Sequence, residues 1–124
     1  MELHFDQETF AIRGAVFEVY KEMGCGFLES VYQECLKKEF ESRGIPFSEQ
    51  PELHLQYKNQ SLNQMYKPDF ICFGQIILEL KAIKNIIPEN RAQIINYLKA
   101  SHHKLGLLIN FGSYPKVEIE RYVN

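Results

Sequence analysis

Residues 75–83 read Gln-Ile-Ile-Leu-Glu-Leu-Lys-Ala-Ile, an apolar run of interior-strand length that nevertheless carries an acid and a base two residues apart. Alternation places Ile77, Glu79 and Lys81 on one face and Leu78, Leu80 and Ala82 on the other, so both charges point the same way. Such charges cost free energy unless they have partners or a task. If the pair merely sat at the solvent edge of a strand, it would contribute roughly a few tenths of a kcal/mol.

The pair does not stand alone. Upstream lies Asp69 in Tyr-Lys-Pro-Asp-Phe-Ile-Cys-Phe, and downstream lie Gln93 and Tyr97. A further carboxylate, Glu29, stands in Gly26-Phe-Leu-Glu-Ser-Val-Tyr32. Glu-x-Lys alone carries no weight, because 14 Glu and 10 Lys in 124 residues give roughly one by chance. Pro-Asp is expected only about 0.1 times and Gln-x-x-x-Tyr about half a time, so the order and the apolar settings carry the argument. Two carboxylates and a lysine on neighbouring strands suit metal-assisted hydrolysis of a phosphodiester. The acids hold a hard divalent cation, and the lysine orients water or stabilises charge developing on phosphate.

Apolar residues Ile12, Val16, Val19, Tyr20 and Met23 recur at helical spacing, which predicts a helix from Gln7 to Met23 stopped by Gly24-Cys25-Gly26. A second helix is expected from about Leu28 to Arg43, with Gly44 as its cap. Glu29 falls between Leu36 and Phe40 in angle, inside the apolar sector, where it needs a partner or a cation; first-turn capping or snorkelling is the other explanation. Glu39 projects similarly, with no role legible. Residues 47–57, 65–73 and 75–83 read as three strands, with turns at Lys58-Asn59-Gln60 and Gly74-Gln75. Asp69 can join Glu79 and Lys81 from the adjacent hairpin strand. Pro88 opens a helix over Glu89 to His102 on which Gln93 and Tyr97 lie one turn apart. Strands over Leu105 to Phe111 and Pro115 to Val123 complete the order ααβββαββ. His102 and His103 read as helix-end residues rather than ligands.

The length predicts a single domain over 1–124 with one core. With 45% hydrophobic and 24% charged residues, and no apolar run near membrane-span length, the chain reads as globular and without a membrane association. Met1-Glu-Leu-His-Phe-Asp has no secretory character, which gives a cytoplasmic expectation. Cys25, Cys35 and Cys72 have neither disulfide nor zinc spacing and read as free thiols. The net charge of −2 argues against an indiscriminate nucleic-acid binder but hides an asymmetry. Residues 1–65 carry 6 basic and 11 acidic side chains, whereas residues 66–104 carry 6 basic and 3 acidic. Lys67, Lys81, Lys84, Arg91, Lys99 and Lys104 of the basic segment are candidate phosphate contacts.

These residues resemble those of the GxxExxY proteins, small members of the PD-(D/E)XK nuclease superfamily, from about Phe10 to Tyr122. The name motif stands as Gly26, Glu29 and Tyr32. Leu28 to Tyr32, Ile77 to Ala82 and Leu107 to Gly112 also look like family sequence. The resemblance implies a restriction-endonuclease-like α/β core, a central mixed β-sheet flanked by helices. It makes Asp69 and Glu79 metal ligands, Lys81 the catalytic lysine, and Glu29 the helix-borne acid completing the site. Gln93 and Tyr97 would correspond to the signature of the RecB-like branch, positioning Lys81 or a phosphate oxygen. The implied activity is a Mg²⁺- or Mn²⁺-dependent nuclease, the ion held by Asp69, Glu79, Glu29 and the Leu80 carbonyl, with DNA as the expected polymer. Asn90 and Arg91 depart from a His-acid pair frequent in the family. A catalytically inactive nucleic-acid- or protein-binding module on this fold, or hydrolysis of another phosphate ester, is the alternative. A homodimer would enlarge the footprint of so small a domain.

Overall fold

The computed structural model describes residues 5–124. Met1 to His4, part of the segment read for secretory character, lie outside the described residues. Two helices, α1 (Asp6–Met23) and α2 (Glu29–Arg43), precede five short strands, β1 (Phe47–Glu49), β2 (Leu53–Tyr57), β3 (Gln60–Tyr66), β4 (Phe70–Cys72) and β5 (Ile76–Lys81). Helix α3 (Pro88–Ala100) and strands β6 (Leu105–Asn110) and β7 (Glu118–Val123) follow. The main sheet runs β1-β4-β5-β6-β7 and is mixed: β5 and β6 are parallel, joined through α3, and the other neighbours are antiparallel. Strands β2 and β3 form a separate hairpin. Flanked by helices on both faces, this is the expected restriction-endonuclease-like architecture.

The order ααβββαββ needs one correction. The expected strand 47–57 breaks at Gln50-Pro51, and the expected strand 65–73 breaks at Lys67-Pro68-Asp69, so three strands become five. Proline has no N–H for a ladder, and both breaks sit at one. The final strand likewise starts at Glu118, after Pro115.

Alternation sorts the core into two layers. Ile76, Leu78 and Leu80 of β5, with Leu105, Leu107 and Ile109 of β6, face α1 and α2, meeting Ile12, Val16, Tyr32, Leu36 and Phe40. Ile77 and Leu108 face the other way, onto Ile94 and Leu98 of α3 and Tyr66 of the hairpin. Helix α2 stops at Gly44, whose left-handed backbone (φ 69°) a side chain would strain. Glu39, which had no role in the sequence, pairs with Arg43 one turn on, at 2.6 Å. All three cysteines are free thiols.

One corner fixes the exit from β5. Asn110 is wholly buried, and its Oδ1 accepts the N–H of Ile83 and of Gly112, both at 3.0 Å. Its Nδ2 donates to the Ile83 carbonyl at 2.9 Å and to Glu118 at 3.0 Å. A Cβ on Gly112 would stand 2.2 Å from the Ile83 oxygen and 2.5 Å from its nitrogen, so only glycine lets the two chains approach. Gly112→Ala should therefore lower unfolding free energy by about 2 kcal/mol or more, and Asn110→Leu by a similar amount through the orphaned backbone groups. Urea denaturation measures both, and an unchanged midpoint for Gly112→Ala would contradict the close approach.

Candidate active site

The segment Gly26 to Tyr32 builds the entrance to α2. Gly26 adopts φ 111°, a conformation disfavoured for any residue with a Cβ. Tyr32 is buried and stacks flat on Phe111 at 4.5 Å between centroids. Its hydroxyl donates to the Gly24 carbonyl at 2.5 Å and accepts from the Phe27 N–H at 3.3 Å, which pins the turn. Glu29 is consequently delivered at the first position of α2, where the helix dipole favours an acid.

Asp69 lies one residue before β4, directly opposite Glu79 by continuation of the register Phe70↔Leu78. Each acid accepts a backbone N–H from across the gap. Glu79 Oε1 accepts the Asp69 N–H at 3.1 Å, and Asp69 Oδ2 accepts the Leu80 N–H at 2.7 Å. The same register puts Pro68 opposite Leu80; proline has no N–H to offer the Leu80 carbonyl, while the Leu80 N–H is taken by the Asp69 side chain. N–H and C=O of one extended residue point the same way, so the Leu80 carbonyl faces this open edge as well. Asp69 Oδ1 and Glu79 Oε2 have no hydrogen-bond partner among the described residues.

Burial pushes the Glu79 carboxyl up to about 7, with the Asp69 charge adding to the effect and Lys81 opposing it. Asp69 is raised by burial, against the pull of the Leu80 N–H and of Lys81. Glu29 is exposed as a residue, yet its carboxyl end is partly desolvated and is raised by that and by Asp69, with Lys81 again opposing. Glu29, Asp69, Glu79 and Lys81 thus share one electrostatic neighbourhood. Lys81 forms no ion pair within 4 Å of any of these acids.

Gln93 and Tyr97 are placed differently. Tyr97 stacks flat on Tyr66 at 4.0 Å, and Tyr66 lies beside Glu79, so Tyr97 reaches the acids through a second aromatic ring. Gln93 lines an outward groove of about 450 Å³ with Glu89, Ala92, Asn96 and Tyr97 and bonds to none of the acids. Arg91, a candidate phosphate contact, is instead engaged: Nε and Nη2 donate to the two Glu120 carboxylate oxygens at 2.9 and 3.0 Å. Asn90 Oδ1 accepts the Ile87 N–H at 3.0 Å, a structural use of the residue that departs from the family pair.

Three neighbours escaped the sequence reading. Gln33 donates from Nε2 to the Asp69 carbonyl at 3.1 Å and to Glu49 at 3.2 Å, clamping α2 to the acid-bearing loop. Its position one turn after Glu29 was the available signal. Gln50, in the left-handed region at φ 48°, donates its N–H to the same carbonyl at 3.1 Å. Glu29, Ser30, Gln33, Gln50 and Asp69 line a cavity of about 310 Å³. Tyr66 is the third; its hydroxyl is buried beside Glu79 without reaching hydrogen-bond geometry to any group among the described residues.

The donors suit a hard divalent cation in kind. They are carboxylate oxygens plus a backbone carbonyl, two acids repel each other in a buried place, and an orphaned hydroxyl adjoins them. Among the described residues no three acidic, histidine or cysteine side chains are close enough to enclose an ion unaided. The site is therefore an open pair of carboxylates with a third acid at its margin.

Metal-free, this arrangement sets the pH dependence of stability. A carboxyl near 7 in the folded protein and 4.5 unfolded keeps a proton in the native state that the unfolded chain has lost, so stability falls as pH rises through that window. Glu49 and Glu120, held low by Gln33 and Arg91 respectively, act in the opposite sense and only in more acidic solution. In EDTA the wild type should lose melting temperature between about pH 5 and pH 8 relative to Glu79→Gln, and Mn²⁺ should restore it at the upper end. Parallel melting curves of the two proteins would contradict the shift assigned to Glu79.

No curated protein and no solved structure matches the sequence. The sequence model of the PD-(D/E)XK nuclease superfamily matches residues 6–122, from the first turn of α1 nearly to the end of β7. The acid pair at the broken edge of β5 thus lies within a match spanning almost the whole chain, and the protein belongs to the PD-(D/E)XK nuclease superfamily.

Proposed function

We propose that the protein is a metal-dependent nuclease acting on DNA, of the GxxExxY type and the RecB-like branch, with residues 1–124 as one functional unit. The observation that carries this reading is the reciprocal Asp69–Glu79 arrangement at the open edge of β5, with one oxygen of each acid uncommitted. PD-(D/E)XK nucleases generally use divalent metals. Here Asp69, Glu79 and the Leu80 carbonyl would hold Mg²⁺ or Mn²⁺, and Glu29 would complete the set. Such an ion, when bound, makes water more acidic and offsets negative charge developing on the phosphate.

The remaining roles fall to the chain itself. Lys81 shares the face of Glu79 and orients the attacking water by donating a hydrogen bond. Tyr97 supports Tyr66, which supports Glu79, so Tyr97 is a positioning residue. Gln93 faces the outer groove and contacts the nucleic acid. Three free thiols suit a reducing compartment, the cytoplasm. A second reading, an inactive binding module, is favoured by the absence of an enclosed three-ligand cluster among the described residues.

Calorimetric Mn²⁺ titration separates the two without a substrate. Wild type should bind, and Asp69→Asn and Glu79→Gln should each weaken binding at least about tenfold. In cleavage assays Lys81→Ala should lose about two orders of magnitude in rate while keeping its Mn²⁺ affinity. Unaltered cleavage by Lys81→Ala would remove the lysine from the mechanism, and absence of both binding and cleavage would leave the module reading in place.

A further inference from the structure

The turn that delivers Glu29 carries two apolar side chains that the fold leaves largely open. Leu28 is 75% exposed and Phe27 is 46% exposed. Leu28 occupies the N-cap of α2, where Ser, Thr, Asp or Asn would bond a free backbone N–H, and it makes no side-chain capping bond. The apolar N-cap of α3, Ile87, is compensated by the Asn90 bond to its N–H and by Pro88. At α2 neither burial nor capping is gained.

The Phe27 ring is nevertheless held firmly. Phe27 packs edge-on against Tyr32 at 6.1 Å, and Tyr32 is locked by its bonds to Gly24 and Phe27 and by Phe111. Tyr114, 82% exposed, belongs to the same end of the molecule, because Tyr20, which adjoins Cys25 and Tyr32, donates to the neighbouring Ser113 carbonyl at 2.6 Å. Fixed apolar surface costs little ordering entropy on binding.

Position and charge decide what covers it. Leu28 is bonded to Glu29, so a polymer with a phosphate at the acids passes over this turn. Residues 1–65, which include α1 and α2, carry a net −5, whereas residues 66–104 carry a net +3, so a phosphate backbone is favoured beside the latter segment. A strand at the site would therefore turn its phosphates toward the basic segment and its bases toward Phe27 and Leu28. In a continuous duplex the base faces are covered by their neighbours; in single strands, flaps and gaps they are open to stacking.

Resting on the nuclease reading above, we infer that Phe27 and Leu28 form a platform for an unstacked nucleobase flanking the scissile phosphate, and that the substrate is single-stranded or locally unpaired nucleic acid. Leu28 is then a specificity-determining residue, retained at a cost in helix capping.

Fluorescence anisotropy tests this on the full chain in Ca²⁺. The probes are one labelled mixed-sequence oligonucleotide as single-stranded DNA, as single-stranded RNA and as blunt DNA duplex. Wild type should bind at least one single strand about tenfold more tightly than the duplex. Leu28→Ser should weaken that binding about fivefold or more and Phe27→Ser/Leu28→Ser further. Leu28→Ser should meanwhile raise the melting temperature by about 3 °C through its new cap, a combination that a structural role for Leu28 cannot produce. Equal binding by Leu28→Ser and wild type, duplex binding as tight as single-strand binding, or no binding of any probe would overturn the inference. Leu28-dependent single-strand binding without Mn²⁺ binding or cleavage would uphold the base platform and the single-strand preference while removing the nuclease reading, and with it the scissile phosphate. Cleavage that ignores Leu28→Ser would do the reverse.

Discussion

The reciprocal bonding of Asp69 and Glu79 across the end of the β4–β5 pair is the constraint around which this site is organised. Pro68 stops the ladder because it has no N–H for the Leu80 carbonyl, and the Leu80 N–H turns instead to Asp69 Oδ2. A lone carboxylate in that gap would be costly to bury. Two carboxylates, each accepting the backbone N–H that the broken ladder exposes, restore part of the lost hydrogen bonding and are fixed in direction by it. The dipeptide Pro-Asp therefore has a structural logic: the proline opens the edge, and the aspartate closes it with a charged side chain.

Three separated stretches converge on that edge. Gln33 ties α2 to the Asp69 carbonyl, and the stack of Tyr32 on Phe111 ties the turn before α2 to the end of β6. Asn110 and Gly112 then hold the chain leaving β5, two residues beyond Lys81, against the chain leaving β6. Displacing any of these contacts moves an acid or the lysine relative to the others. Sub-ångström placement of such groups matters more to hydrolysis than their mere presence.

Much of this was legible in the sequence because it follows short-range rules. The alternation in Ile77 to Lys81 gave the facing of the two charges, and the helical periods of α1, α2 and α3 gave their extents to within a residue or two. What escaped was long-range. The split of 47–57 and 65–73 hangs on Pro51 and Pro68, whose effect depends on which strand lies opposite. Gln33 is, by sequence, a helix residue one turn after Glu29 and nothing more, since its partner is a carbonyl 36 residues away. Arg91 counted as a free cation until β7 brought Glu120 to it. Glu29 was placed beside the acids by the resemblance, and the angular argument from its helix alone left capping open.

The acids also show how the fold and the chemistry constrain each other. Both central carboxyls are raised because burial disfavours their charged forms, and at Glu79 the Asp69 charge adds to the effect. Charge repulsion at neutral pH is a destabilisation held in the folded state, and the contacts of the surrounding core must outweigh it. A bound cation would remove that penalty and count as folding free energy, since the unfolded chain has no such pair of oxygens preassembled. Replacing the acids by neutral residues would give a more stable domain with nothing to hold an ion. The exposed leucine at the head of α2 follows the same pattern on a smaller scale, an unfavourable residue kept where a substrate would cover it.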